Sequence, residues 1–366
     1  MPAPTATPAP AASPVILAPF GPAAAAPVTD ATGAAFQHLQ TAHCESGVIT
    51  SLLRAEGLPI SEAMCFGLSS ALSFCYFPFV RVNQLPLISY RMMPRWILNS
   101  LRRLLRIPLR FERFKTPATG QARLDELLAR GRAVGLQGCI FFLTYFPVNM
   151  RFHFNAHNII AYGRDPASGD YLISDPVFNA PTRCPAADLQ RARFVRGALA
   201  PNGLVYHIDG KLPSTDIAQV TPLLRGAIRK NVRMMLYMPI PCVSTLGIHF
   251  LASRVRRLPV KNNPEYCRRY VGHIVRMQEE VGTGGAGFRF LYAAFLQEAA
   301  AHLNNPALHE LSLELTEIGD EWRRFALQAA RQNKGRSPLA PAALAGLLDD
   351  ISRKERALYK KLWKAI

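Results

Sequence analysis

The chain contains 366 residues, and its 43 Lys and Arg against 25 Asp and Glu give a net charge of +18. This length exceeds the usual single hydrophobic core, which predicts two domains. No apolar run is long enough for a membrane-spanning helix. The seven cysteines are scattered and form no C-x-x-C pair. They therefore indicate neither a zinc site nor a disulfide framework, and they favour a reducing, cytoplasmic setting.

The excess of positive charge implies an acidic partner: nucleic acid, an anionic membrane surface or an acidic protein. Arginine heavily outnumbers lysine, a bias that GC-rich genomes also produce, so the charge alone is a weak indication of function. Nucleic acid has no other support, because aromatic residues interleaved with basic ones, as in single-strand binding, are sparse.

Residues 1–33 form a Pro/Ala-rich tract with almost no charge. The tract lacks the basic start and continuous apolar core of a signal peptide. We therefore predict a disordered leader rather than an export signal.

The first informative stretch surrounds Cys44. A run of small and polar residues leads into this cysteine, and apolar residues then recur at helical spacing until Gly57 and Pro59 end the pattern. Cys44 is thus expected in the first turn of a helix, where free N–H groups and the positive dipole end stabilise a thiolate and a developing oxyanion. It is a candidate nucleophile; the alternative is a buried apolar thiol.

Residues 89–115 predict a basic amphipathic helix, with an apolar face around Trp96 and Leu101 and a cationic face around Arg102 and Arg103. Three interpretations stay open for it: a solvated surface helix, a docking face for an acidic protein, and attachment to a membrane surface.

The second informative stretch is a predicted β-hairpin. Alternation over residues 151–157 places His153, Asn155 and His157 on one face of a strand, and a polar turn at residues 164–170 leads to a second arm that ends at Asp175. Because the two arms are nearly equal in length, the hairpin brings His157 and Asp175 within reach of each other. That is the geometry of a base and the acid that orients it. Taken alone, each residue could equally be structural.

No metal site is predicted. His153 and His157 share a strand face, but they lie more than about 10 Å apart on a strand that rises about 3.3 Å per residue. That separation is too large for both to bind one ion.

Other patterns outline the rest of the chain. Residues 134–147 predict a buried strand, and residues 194–208 predict a further strand pair. Helical patterns follow at residues 223–235, 264–281, 286–303, 306–330 and 341–363. They predict an all-α C-terminal region.

The motifs HCESG at 43–47, SEAMCFG at 61–67 and HFNAH at 153–157, followed by Tyr162-Gly163, resemble the N-terminal domain family of butirosin biosynthesis protein H. That family is similar to papain-type, bacteriocin-peptidase-like cysteine folds turned to acyl transfer. Its founding member moves an acyl group from an acyl carrier protein thioester to an aminoglycoside amine. The segment EEVGTGG at 279–285 and the helices after it resemble the helical domain that commonly follows.

The resemblance implies an α+β fold class, with a papain-like acyltransferase domain at residues 34–212 and a helical domain at residues 213–366. It also implies Cys44 as the nucleophile, His157 as the base and Asp175 as its orienter. Papain-type enzymes hold a glutamine before the cysteine. Here Gln37 and Gln40 straddle the expected place, and the further oxyanion or substrate candidates are His43, His153 and Asn155.

Gly284 and Arg289 are candidates for gripping a phosphate. A glycine-rich turn directly before a helix can cradle an anion, with an arginine one turn later, although a plain connector between helices explains the same pattern. No bound cofactor is expected, because the carrier protein would supply the phosphopantetheine.

The expected function is acyl transfer from an acidic acyl carrier protein to a small-molecule amine or hydroxyl, in secondary-metabolite or specialised lipid biosynthesis. The alternatives are a thioesterase or cysteine peptidase with the same triad, and a non-catalytic carrier-binding module. Nucleic acid is not an expected partner. Peripheral membrane contact, oligomeric state and the identities of acyl chain and acceptor stay open.

Overall fold

The computed structural model describes residues 28–29, 35–82 and 84–366. The leader predicted at residues 1–33 therefore lies outside the described residues, apart from β1 (Val28–Thr29). This short strand pairs antiparallel with β2 (Ala35–Phe36).

The first two helices begin at polar caps. The helix α1 (Cys44–Ala55) starts at the candidate nucleophile, because the His43 side chain caps it by accepting the N–H of Ser46 at 3.3 Å. Ser61 likewise caps α2 (Glu62–Leu68). A long hairpin of β3 (Leu72–Val82) and β4 (Leu85–Arg91) follows.

A side chain from α1 caps the N-terminus of α3 (Trp96–Leu104). Glu45 is fully buried and accepts the backbone N–H groups of Arg95 and Ile97, each at 3.0 Å. The same carboxylate pairs with Arg91 at 3.3 Å. A carboxylate at a helix N-terminus is stabilised by the free N–H groups and the helix dipole. Of the basic amphipathic helix predicted over residues 89–115, only residues 96–104 are helical, since residues 89–91 belong to a strand and residues 109–112 form another. Glu45 fixes this helix to α1.

A six-stranded antiparallel sheet forms the centre of the N-terminal part, in the order β5-β10-β6-β7-β8-β9. The predicted hairpin is confirmed as β7 and β8. The strands are β5 (Leu109–Glu112), β6 (Val134–Gly138), β7 (His157–Arg164), β8 (Tyr171–Ser174), β9 (Thr182–Cys184) and β10 (Val205–Ile208). Two helices, α4 (Pro117–Ala129) and α5 (Ala186–Phe194), pack on one face of this sheet.

The connection between β6 and β7 differs from the prediction. The strand predicted over residues 134–147 ends at Gly138, and 3₁₀ turns follow at Ile140–Phe142 and Val148–Met150. The strand predicted from residue 151 begins only at His157. The rings of this connection pack on one another instead, with Phe141 stacked on His153 at 4.2 Å between centroids.

The strand pair predicted over residues 194–208 is wrong. The helix α5 ends at Phe194, and within residues 194–208 the structure shows β10 alone as a strand. Gly197, Asn202 and Gly203 have φ values of 118°, 52° and 63°. Regular strands do not allow these values.

The C-terminal region is helical, as predicted. Its helices are α6 (Thr221–Tyr237), α7 (Ser244–Arg256), α8 (Pro264–Val275), α9 (Arg289–Leu303), α10 (Pro306–Asn333) and α11 (Pro341–Ala365). A π-helical turn, Arg276–Glu280, extends α8. The sequence prediction missed α7.

One continuous hydrophobic core joins the two predicted domains. Val48 and Phe66 of the N-terminal helices belong to the same cluster as Phe295 and Trp322 of the C-terminal helices. A second cluster lies between the opposite face of the sheet and α4 and α5. The boundary at residue 213 stays a prediction, and the apolar core extends across it.

Replacement of Gly67 tests this shared core. A Cβ at Gly67 would lie 2.0 Å from the ring of Phe295, so Gly67→Ala should cost about 1–3 kcal/mol through overpacking. At Gly346 in α11, no atom lies within 4 Å of the corresponding position. Gly346→Ala should therefore leave stability unchanged or raise it by up to about 1 kcal/mol. Thermal unfolding followed by circular dichroism measures both, and equal Tm values would contradict the close packing of α2 on α9.

Candidate active site

Cys44 occupies the first position of α1, with its thiol half-buried. As the first helical residue, Cys44 has a backbone N–H without a partner inside the helix. The location matches the sequence prediction.

The backbone that leads into Cys44 is held by Glu62. This carboxylate, at the start of α2, accepts the N–H groups of Ala42 at 2.8 Å and His43 at 2.9 Å. It also accepts the hydroxyl of Ser46 at 2.8 Å. Burial raises the pKa of Glu62, and the three donors oppose that rise. Glu62 therefore fixes the position from which the Cys44 side chain projects.

The hairpin brings His157 and Asp175 together. Nε2 of His157 donates to Oδ2 of Asp175 at 2.8 Å, and both side chains are buried. The imidazole also interacts with the Cys44 thiol, and this interaction lowers the pKa of the thiol. Because Nε2 is bonded to Asp175, Nδ1 is the nitrogen left for the sulfur. The thiol, the imidazole and the carboxylate thus interact in series.

Asp175 is itself held in place. Its Oδ2 accepts the Tyr145 hydroxyl at 2.9 Å, and its Oδ1 accepts the Val177 N–H at 3.0 Å. The Phe146 ring packs edge-on against the His157 ring, with centroids 5.6 Å apart. These contacts restrict rotation of both the carboxylate and the imidazole.

The electrostatics favour a thiolate–imidazolium pair. Burial alone would raise the pKa of Cys44, but the hydrogen bond and charge of His157, with Arg91 nearby, bring that pKa below its ordinary value. Burial opposes protonation of His157, yet the charge and hydrogen bond of Asp175 raise its pKa to about 10.

A fourth polar residue reaches the sulfur. Nδ2 of Asn158 donates to Sγ of Cys44 at 3.7 Å and to the carbonyl of Ala156 at 3.1 Å. The buried Tyr206 hydroxyl donates to Oδ1 of Asn158 at 2.9 Å. Since Oδ1 is occupied in this way, the NH₂ group is the end that faces Cys44.

Sequence reasoning missed Asn158. Neighbouring residues on a strand point to opposite faces, so the alternation that selected His157 argued against the residue after it. The signal that could have found Asn158 is the buried Tyr206 on β10. Strand β6 lies between β10, which carries Tyr206, and β7, which carries Asn158. This strand order cannot be predicted from the local sequence.

Comparison with known proteins bears on this arrangement. Residues 43–176 match the family described as butirosin biosynthesis protein H, N-terminal, and residues 187–362 match a domain of unknown function (DUF4872). Residues 43–176 are thus similar to the butirosin biosynthesis protein H N-terminal family. The resemblance drawn from the sequence motifs is thereby confirmed.

One similar solved structure is a C39-like peptidase from Bacillus anthracis. It shares 12% identity with this chain at a TM-score of 0.34, covering 48% of this chain and 96% of its own. A search of the curated proteins finds no match.

The predicted α+β fold class is confirmed. Cys44 lies on a helix, His157 lies on the antiparallel sheet, Asp175 follows the end of β8, and an all-α region comes after them.

The glutamine candidates for the oxyanion site differ in their surroundings. Gln37 is exposed, and the Gln40 amide donates to the carbonyl of Val177 at 3.2 Å on the surface. His38 lies between them and is buried. Its Nδ1 lies 2.7 Å from the Ser174 hydroxyl, and its Nε2 lies 3.0 Å from the Phe178 carbonyl. No contact of either glutamine with Cys44 appears among the described residues.

Three further candidates for the oxyanion or substrate site, His43, His153 and Asn155, lie in different local environments. His43 is the buried helix cap, and burial lowers its pKa well below the ordinary value. Because β7 begins only at His157, the predicted common face of His153 and Asn155 with it is wrong. His153 stacks on Phe141, and Asn155 donates to the carbonyl of Ala198 at 2.9 Å.

The phosphate grip predicted from Gly284 and Arg289 is wrong for the arginine. Arg289 is fully buried and forms a double hydrogen bond with Glu355, at 2.8 and 3.1 Å, while its Nη1 donates to Gly287. Its charge is already neutralised away from solvent. Gly284 packs against Ala42, where an added Cβ would lie 2.9 Å from the alanine Cβ.

Within residues 28–29, 35–82 and 84–366, no cluster of three or more His, Cys, Asp or Glu side chains is arranged to hold a metal ion. In the same part of the chain, no helix is long and apolar enough to cross a membrane. All seven cysteines are free.

Thiol alkylation tests the charge state of Cys44. Because its pKa is lowered, iodoacetamide at pH 6 should modify Cys44 first. Burial raises the pKa of Cys65, Cys75 and Cys184 to about 12, 11 and 12. Peptide mass spectrometry measures the rate at each cysteine.

The matched variant His157→Ala removes the imidazolium. Its Cys44 alkylation at pH 6 should fall by about tenfold or more. The two pH profiles should converge near pH 10, where His157 loses its proton in the unmodified protein. Equal rates at pH 6 would contradict the proposed pairing.

Proposed function

We propose that this protein is an acyltransferase. It accepts an acyl group on Cys44 from the phosphopantetheine thioester of an acidic acyl carrier protein and passes it to an amine or hydroxyl of a small molecule. The supporting observation is the hydrogen bond between His157 and Asp175 together with the interaction of His157 with Cys44, which leaves the thiol pKa lowered and the imidazole pKa raised, in a region similar to this family.

The first half of the reaction forms an acyl-enzyme. The Cys44 thiolate attacks the thioester carbonyl, and the bond to the carrier's sulfur breaks when the tetrahedral intermediate collapses. The proton on His157 passes to the departing thiolate, which leaves as a thiol. The imidazole is then neutral and ready to act as a base.

The second half resolves the acyl-enzyme. The acceptor amine or hydroxyl attacks the acyl carbonyl while His157 takes its proton. Collapse of this intermediate releases an amide or ester and restores the thiolate–imidazolium pair. Asp175 keeps the imidazole oriented and stabilises its charged form throughout.

Asn158 is the side-chain donor for the oxyanion in this proposal. Its NH₂ group faces the sulfur and is aligned by Tyr206, and the Cys44 N–H supplies a second donor at the start of α1. Fixed donors aimed at a developing negative charge contribute strongly because they need no reorganisation during the reaction. Asn158 thus takes the place that was expected for Gln37 or Gln40.

The net charge of +18 supports an acidic carrier protein as the donor, since opposite charge speeds encounter between proteins. A cytoplasmic setting and a role in secondary-metabolite or specialised lipid biosynthesis belong to the same proposal. No bound cofactor is needed, because the carrier brings the phosphopantetheine.

Incubation with acyl carrier protein loaded with acyl chains of several lengths tests the first step. Intact-mass and peptide mass spectrometry should show the acyl increment on Cys44, and Cys44→Ala should show none. The buried Cys65, whose pKa burial raises to about 12, provides the matched control Cys65→Ala, which should keep the increment on Cys44.

Product analysis with and without amines separates transfer from hydrolysis. An amide product that depends on the amine supports the transferase. Free acid alone, at the same rate with every amine, identifies a thioesterase. Absence of any acyl increment with all chains contradicts both, and unchanged function in Cys44→Ala would indicate a non-catalytic binding module.

The oxyanion role of Asn158 gives a graded series. Asn158→Ala should slow acylation of Cys44 by about 10²–10³-fold. Tyr206→Phe, which keeps Asn158 but removes its aligning hydroxyl, should slow acylation less. Alkylation of Cys44 at pH 6 should persist in Tyr206→Phe, which shows that the thiolate is intact. An acylation rate for Asn158→Ala within threefold of the unmodified protein would remove Asn158 from the mechanism.

A further inference from the structure

A cavity lies away from Cys44, between α3 and α6. It has a volume of about 450 Å³, within the range of small-molecule sites. Its floor is Leu68, at the end of α2 opposite to Glu62. Nothing in the proposed acyl transfer uses this space.

The cavity wall is mostly apolar and comes from two helix faces. Leu223 and Ala227 of α6 and Leu104 of α3 line it together with Leu68. Residues 223, 226, 227 and 230 are spaced i, i+3, i+4 and i+7, so α6 turns one continuous face toward the cavity. The shape and lining suit an aliphatic body.

Two cations stand at the rim without an acidic partner. Arg103 and Lys230 line the cavity, and neither forms an ion pair with any carboxylate among the described residues. Lys230 lies over the ring of Trp96 at 4.8 Å. Burial and the charge of Arg103 both lower its pKa, so an anion between the two would relieve their repulsion.

A buried serine also contributes to the cavity wall. Ser100 lines the cavity and is 3% exposed. Its Oγ has no hydrogen-bond partner within the described chain. Buried polar groups normally have partners, so this hydroxyl is available to a polar atom of a ligand.

Gly226 keeps the cavity open. A glycine in the middle of a helix costs about 1 kcal/mol relative to alanine. No atom lies within 4 Å of where a Cβ of Gly226 would stand, so packing within the described residues does not require a glycine there. A side chain at this position would project into the cavity.

We propose that this cavity binds an amphiphilic anion of the alkyl carboxylate class. The carboxylate sits between Arg103 and Lys230, within reach of Ser100, and the alkyl chain lies along the leucines of α2, α3 and α6. The proposal is independent of the chemistry assigned to Cys44.

Calorimetric titration with decanoate, below its micellar concentration, tests this site. We expect saturable one-to-one binding and a change in tryptophan fluorescence from Trp96 beneath Lys230. Decyltrimethylammonium, with the same chain and opposite charge, should bind at least tenfold more weakly. Prior alkylation of Cys44 should leave decanoate binding unchanged. This result would show that decanoate does not bind at Cys44.

Two variants with matched controls locate the ligand. Gly226→Leu should fill the cavity and weaken binding at least tenfold, whereas Gly346→Leu, at the open glycine of α11, should not. The double variant Arg103→Gln/Lys230→Gln should weaken binding similarly. Arg102→Gln, whose parent side chain lies over Phe111 and not in the cavity wall, controls for the loss of a positive charge from α3.

Three results would overturn the proposal: no saturable binding of decanoate, equal binding of the cationic amphiphile, or full affinity in both Gly226→Leu and the double charge variant. Circular dichroism confirms that each variant is folded. The charge variant, which changes only surface side chains, keeps the test valid even if Gly226→Leu does not fold.

Discussion

The position of the sulfur depends on the grip of Glu62 on the chain before Cys44. The carboxylate takes up two consecutive backbone N–H groups and the Ser46 hydroxyl, so the entry into α1 has one conformation. Glu62 is in turn placed by α2, whose cap Ser61 donates to Glu298 of α9 at 2.7 Å. Through this series of hydrogen bonds, the helices of the C-terminal region help to determine the position of the candidate nucleophile.

The glycine-rich loop at residues 282–285 has the same supporting role. Gly282 lies within 4.0 Å of Ala42 and His43, measured from an added Cβ, and Gly284 is closer still. The loop packs against the backbone that Glu62 holds, and at Gly284 an added Cβ would lie only 2.9 Å from the Ala42 Cβ. Two separate family descriptions match residues 43–176 and residues 187–362. The two matched regions nevertheless share one hydrophobic core.

The sequence was sufficient wherever local patterns decide the structure. Cys44 at a helix start follows from capping chemistry, and the meeting of His157 with Asp175 follows from the equal arms of one hairpin. It was insufficient where contacts join distant segments. Asn158 depends on Tyr206, 48 residues later, and Arg289 is neutralised by Glu355, 66 residues later. A glycine-rich turn followed by an arginine looks like an anion site until that buried partner is known.

Two buried carboxylates beside a thiolate would ordinarily disfavour it, since nearby negative charge raises a thiol pKa. Here each carboxylate is committed elsewhere. Glu45 is balanced by Arg91 and by the N-terminus of α3, and Glu62 is balanced by backbone N–H groups. Arg91, held by Glu45, lowers the Cys44 pKa. Because Glu45 and Glu62 are balanced in this way, the pKa of the Cys44 thiol depends on His157, Arg91 and the helix N-terminus.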